Sequence, residues 1–221
     1  MRYCFLSHII KDKMQIFGGK ATVDISCVKS IIAGDSSNVF NFTMENHWGT
    51  HVDSPRHFFD NGPKITDYPP TFWIFQRPTV LDVKLRPAEL LNDIDMLKTV
   101  PINTDLLLFR SGWSSCRDQD IYGKENPGIH PDVGLFIRRH FPKIKAIGID
   151  WVSVSSFQNR ELGRETHRIL LDPQGEGQPV LIIEDMDLTK DLSLLFQVWA
   201  IPLRIAEVDS TPCTVIGVLN D

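Results

Sequence analysis

The sequence predicts an α/β fold, and three observations carry that reading. Asp105-Leu-Leu-Leu-Phe-Arg110, Lys145-Ala-Ile-Gly-Ile-Asp150 and Val180-Leu-Ile-Ile-Glu184 are short apolar runs of the length of buried strands. Pro131 opens an amphipathic helix that runs to about Phe141, where Pro142 stops it. Strand-like and helical stretches mix along the chain, with no repeat, low-complexity tract or linker, so one domain over 1–221 is expected.

Taken in order, Tyr3–Leu6, Val39–Thr43, Gly49–Val52 and Thr79–Val83 read as strands separated by loops. Pro87-Ala-Glu-Leu-Leu91 reads as the start of a helix, with proline at an early helical position. The three apolar runs follow, interleaved with the Pro131 helix and a second helix over Gly163–Leu171. Trp199–Val218 is strand-rich, broken by Pro and Gly turns.

Composition excludes several function classes. The 221 residues are 42% hydrophobic, enough for a real core, and carry a formal net charge of -5. No basic stripe suggests a nucleic-acid partner; Arg138, Arg139 and His140, with Lys143 and Lys145, read as a solvated helix end. Cys4, Cys27, Cys116 and Cys213 form no CxxC pair, which excludes a cysteine zinc site and fits reduced thiols in a cytoplasmic protein. The N-terminus is interrupted by Ser7, His8 and Lys11 and is not a signal peptide, and no apolar run is long enough to span a membrane.

The chemistry concentrates in His47-Trp-Gly-Thr-His51-Val-Asp53-Ser-Pro-Arg-His57. In an extended chain the odd positions share one face, so His47, His51, Asp53 and His57 converge. Gly49 would let a metal or substrate approach the backbone. His47 and His51 are also four apart, but a zincin helix needs HExxH, and Gly49 and Pro55 disfavour a helix. His167, on the second helix, and Glu184, ending the third apolar run, are further candidate ligands. A carboxylate after a buried strand is costly unless its charge is compensated, and a divalent metal would do so. Five candidates, His47, His51, Asp53, His167 and Glu184, suit one ion of high coordination or two ions bridged by Asp53 and Glu184. Imidazole with carboxylate fits zinc, manganese or iron. Such an ion would supply hydroxide at neutral pH. His57, beyond Pro55, is assigned the general acid/base role. Arg56, inside the motif, is a candidate partner for a substrate carboxylate. The aromatics near the motif suit a small cyclic or aromatic substrate, although such residues are commonly core.

At these residues the chain resembles the cyclase-like metal-dependent hydrolases, the family of bacterial kynurenine formamidase and isatin hydrolase. Their hallmark HxGTHxDxPxH is present in full as HWGTHVDSPRH. The likeness continues through Ser111–Trp113, Gly148–Asp150, His167–Leu171, Ile182–Leu188 and Pro202–Ile205. The resemblance implies a hydrolase of carbonyl–nitrogen bonds other than peptide bonds, using zinc or manganese, one or two ions per subunit. It implies His47, His51 and Asp53 as ligands of one ion, His167 as a ligand of the second, Asp53 and Glu184 as bridges, and His57 as the acid/base. It implies a mixed, β-barrel-like sheet with flanking helices, of the swivelling β/β/α type, and a homo-oligomer, dimer or tetramer, with a small-molecule substrate. Where kynurenine formamidases have a substrate-holding Trp-Pro-Gly, this chain has Ile16-Phe17-Gly18-Gly19, which makes Phe17 the aromatic substrate contact. That change, and a longer stretch between His167 and Glu184, weigh against N-formylkynurenine as the substrate. A lactone or ester hydrolase on the same site, or a non-catalytic metal- or small-molecule-binding protein, are the alternatives.

Overall fold

Four parallel strands form the spine of the main sheet: Pro78–Asp82, Leu106–Arg110, Ala146–Ile149 and Leu181–Glu184. The computed structural model describes residues 1–221. The alternation of Leu106-Leu-Leu-Phe109 explains the sheet's place. Leu106 and Leu108 face one apolar cluster, Leu107 and Phe109 another, and all four are fully buried. A strand covered on both faces reads as a continuous apolar run.

From Leu181–Glu184 the sheet continues antiparallel through His51–Asp53, Ser210–Leu219, Leu195–Pro202 and Ile74–Phe75, and Arg2–Phe5 pairs with Ser210–Leu219. The sheet curls until Leu195–Pro202 lies beside Pro78–Asp82, and Gln197 Nε2 donates at 2.7 Å to Oε1 of Gln76, in the link between Ile74–Phe75 and Pro78–Asp82. It is therefore mixed and nearly closed. One core fills the inside of the curl, with Val52, Ile183, Val198 and Val215. The other lies under helices Pro131–His140 and Arg160–Leu171, with Ile137, Leu170 and Trp151.

The strands and both helices fall close to the expected places. The Pro131 helix starts at Pro131, its first helical position, where the missing N–H costs nothing. The helix expected from Pro87 does not form. Ala88 takes φ 59°, its N–H donates to Glu125 O, and Leu90–Leu91 becomes a strand paired with Gly128–Ile129. A long-range pairing has overridden the local proline signal. Arg138 is buried rather than solvated, donating to the carbonyls of Ile169 and Gly177.

The hairpin of Asp24–Lys29 and Val39–Thr43 stands out from this body with every strand residue exposed, among them Ile25, Val28, Phe40 and Phe42. No helix of the chain is long and apolar enough to cross a membrane.

Candidate active site and metal centre

The His47–His57 motif converges, but strand alternation accounts for only part of it. Only His51–Asp53 is a strand; a turn precedes it and a short 3-10 turn, Pro55–His57, follows. Gly49 is needed for its left-handed backbone, φ 74°, and a Cβ there would meet Ile10 and Met14 rather than the site. The turn points the Gly49 carbonyl at His51, which donates to it from Nδ1 at 2.8 Å.

The His51–Asp53 strand lies between Leu181–Glu184 and Ser210–Leu219, with His51 opposite Glu184 and Asp53 opposite both Ile182 and Ser210. Helix Arg160–Leu171 brings His167 over this strand pair, buried among the same groups. Gly163, one turn earlier, packs so closely that a Cβ would fall 2.3 Å from Ser155 Oγ. Its carbonyl accepts from His167 Nδ1 at 2.9 Å. All five expected ligands are thereby brought into one cluster.

Its hydrogen bonding has a consistent sense. Each of three imidazoles spends one N–H on an acceptor behind it: His51 on Gly49 O, His167 on Gly163 O, and His47, through Nε2, on Asp209 Oδ2 at 3.0 Å. The other nitrogen of each then faces a carboxylate. His47 Nδ1 is 3.1 Å from Asp53 Oδ1. His51 Nε2 is 3.5 Å from Asp53 Oδ1 and 3.4 Å from Glu184 Oε2. His167 Nε2 is 3.5 Å from Glu184 Oε1 and 3.8 Å from Asp53 Oδ2. His51 Nε2 and both Asp53 oxygens are buried without a hydrogen-bond partner.

Lone pairs aimed at buried carboxylates repel unless positive charge lies between them. Protons would supply it: burial pushes His47 down, but Asp53 and Asp209 outweigh that and raise it to about 10. Burial likewise pushes Glu184 up, but His167 and His51 bring it to about 2. A divalent cation meets the same need, and most of these separations are too long for hydrogen bonds. Two ligands about 2.1 Å from a tetrahedral ion sit about 3.4 Å apart, which fits the His51, Asp53, Glu184 and His167 spacings. Ligand atoms group as His51, Asp53 and Glu184, and as His47, Asp53 and His57, sharing Asp53. The donor set of imidazole and carboxylate therefore fits a divalent metal.

His57 lies at the edge of this cluster, its Nδ1 2.7 Å from Asp209 Oδ2 and its Nε2 without a protein partner. Asp209 is a residue the sequence reading missed. It links His57 to His47, accepts from Asn46 Nδ2 at 2.8 Å, and through its carbonyl accepts from Ser54 N–H and Oγ. Burial would push its carboxyl up, but the two imidazoles hold it far below the usual carboxylate range. Glu184 is fixed by donors from Val154 N–H at 2.7 Å and Ser153 Oγ at 3.1 Å.

His47, His51, Asp53, His57, His167 and Glu184 line a cavity of about 270 Å³ together with Phe17, Phe58, Arg160 and Arg164. Phe17 thus forms part of the cavity wall. Arg56 is not in the lining; it donates to Asp60 O. A larger cavity of about 890 Å³ opens beside Thr50, His8 and Arg117, and none of the five candidate ligands lines it.

The family model for putative cyclases matches residues 5–156. The chain belongs to the cyclase family. Among curated members, the kynurenine formamidase of Geobacillus thermodenitrificans is 25% identical over 188 residues, covering 80% of this chain and 78% of that protein. Cyclase-like protein 2 of Oryza sativa subsp. japonica is 23% identical over 220 residues, covering 94% and 75%. Isatin hydrolase A from Labrenzia aggregata, solved bound to benzyl benzoate, superposes with a TM-score of 0.83 at 18% identity, covering 100% of this chain and 94% of that one. The last likeness establishes the cyclase fold.

Proposed function

We propose that this cyclase-family chain is a metal-dependent hydrolase that cleaves a carbonyl–nitrogen bond of a small amide or cyclic amide. One observation carries the reading: buried Asp53 and Glu184 face nitrogens of His47, His51 and His167 beside the His57–Asp209 pair. The kynurenine formamidase and isatin hydrolase relatives support the bond type. The cavity, about 270 Å³, is below the roughly 300 Å³ at which drug-sized sites begin, and so suits a small molecule.

His47, His51, Asp53, His167 and Glu184 would hold zinc or manganese, as one or two ions. Bound there, the metal acidifies water and polarises the substrate carbonyl. The remaining work falls to side chains. His57 accepts the proton of the attacking water and returns it to the leaving nitrogen as the carbonyl–nitrogen bond breaks. Asp209 holds His57 Nδ1, which leaves Nε2 as the proton-carrying atom. Phe17 offers an aromatic wall.

The apolar hairpin of Asp24–Lys29 and Val39–Thr43 supports a homo-oligomer, dimer or tetramer, that covers it; light scattering of the purified protein tests this. Four free thiols are compatible with the cytoplasm. The deciding experiment is metal content per subunit before and after chelation, with hydrolysis of N-formylkynurenine and isatin followed on the same samples. Bound zinc or manganese whose removal abolishes turnover supports the reading. Protein that binds neither metal overturns it.

A further inference from the structure

We infer that Arg160 and Arg164 form a carboxylate clamp at the rim of the active cavity, and that the substrate is an amide bearing a carboxylate. The inference rests on the hydrolase reading for the reaction, but not for the binding it predicts.

Arg160, Arg164 and His167 lie on one helix, at intervals of four and three residues. Residues so spaced stand above one another on one helix face. All three line the same cavity. The helix therefore carries a ladder, from two guanidinium groups at the rim to a candidate metal ligand on the floor.

Both guanidinium groups are exposed and unpaired. The ion-paired arginines of the chain are Arg86, Arg110, Arg117 and Arg139. Glu161 and Glu165 are their neighbours in sequence, yet neither forms an ion pair with them. Two cations four residues apart on a helix repel each other, which destabilises the helix slightly. A shared anion would remove that cost.

Arg160 is also held in place. Its guanidinium carbon lies 3.9 Å from the Phe157 ring centroid and 6.0 Å from that of Phe17. Phe17 and Phe157 meet edge to face at 5.4 Å. Its Nε donates to Phe157 O at 3.3 Å, which leaves both terminal nitrogens free. A guanidinium stacked on an aromatic ring with its fork open matches carboxylate geometry. Phe17 lies in the same wall, so a ring against it and a carboxylate on the arginines can belong to one ligand.

The clamp orients as well as binds. A substrate held by its carboxylate at the rim presents its amide carbonyl to the floor, where His57, Asp53 and Glu184 lie. The favoured class is a small amide that carries a carboxylate within reach of both arginines. A neutral ring such as isatin leaves the arginines unused.

Calorimetry on the metal-loaded protein tests this with 2-aminobenzoate and its neutral counterpart, 2-aminobenzamide. The variants are R160Q, R164Q and the double variant; glutamine matches arginine in helix propensity, and thermal melts confirm folding. Wild type should bind the anion about tenfold or more tightly than the amide, the scale of a charged hydrogen bond. Each single variant should reduce that ratio, and the double variant should abolish it. Equal affinities in wild type overturn the inference, as does failure of the anion to bind. A preference that survives in the double variant belongs to the metal and also overturns it. Hydrolysis of 2-formamidobenzoate and formanilide by wild type is scored separately. Clamped anion without turnover of these compounds, N-formylkynurenine or isatin would count against the hydrolase reading and leave the clamp standing.

Discussion

Asp209 Oδ2 lies 2.7 Å from His57 Nδ1, joining two residues 152 positions apart in the chain. The same oxygen accepts from His47, so one carboxylate orients both a proposed acid/base and a proposed ligand. H57Q should keep its metal and lose about 10²–10⁴-fold in kcat, the usual worth of a positioned acid/base. D209N should lose turnover and also weaken metal binding by about 10–100-fold, as removal of a ligand's supporting partner does. Excess metal should restore occupancy in D209N without restoring kcat. Wild-type kcat in metal-saturated D209N would rule out the positioning role.

The buried carboxylates set a second expectation. H51A and D53A should purify with little or no metal, because each removes a central member of the cluster. Chelation should lower the melting temperature of wild type and leave these variants unmoved. Ligand at about 100 times its Kd stabilises by about 2.7 kcal/mol. Elemental analysis and melts with and without chelator measure both effects. Metal-dependent turnover retained in both variants would sink the ligand assignment.

Behind the site, Arg117 donates to Asp185 from Nη2 at 2.6 Å and from Nε at 2.8 Å, both side chains buried, and Tyr122 adds its hydroxyl. R117M should leave the Asp185 charge uncompensated and cost about 3–5 kcal/mol of stability. Urea unfolding compares it with wild type. A loss below about 1 kcal/mol would show that the pair contributes no more than an exposed one.

Stability near this network should depend on pH through His8. Burial holds His8 below its ordinary value of 6.5; Asp185 opposes that and Arg117 assists it. The folded chain thus favours the neutral ring. The stability this contributes is complete above pH 6.5 and drains as pH falls through 6.5 towards the folded value. The melting-temperature advantage of wild type over H8N should shrink between about pH 7 and 5. An advantage that stays constant or widens would contradict it.

Much of this was legible from residues alone. The runs ending at Arg110, Asp150 and Glu184 are strands within a residue of expectation because burial on both faces leaves a local signature. His47, His51, Asp53, His167 and Glu184 meet as expected, since the motif and the buried run ending in Glu184 are visible locally. Asp209 was not legible. It lies just before the Ser210–Leu219 strand, and its value arises only when that strand pairs with His51–Asp53. Arg160 and Arg164 were overlooked in favour of Arg56, though their helical spacing to His167 was a signal available in sequence. The Pro87 segment misled because pairing with Gly128–Ile129 decides its conformation.

The strand that carries His51 and Asp53 has a consequence for how the chain is made. Its two sheet neighbours begin at Leu181 and Ser210. On a ribosome adding about 5–20 residues per second, this strand waits about 6–30 s for its partners. During that interval its backbone has open edges on both sides, and Val52, fully buried in the finished fold, has no core to enter. The most chemically committed segment of the chain is made well before the strands that enclose it. A nascent chain stalled before Ser210 would hold the histidine motif but have no site, and would be prone to aggregate.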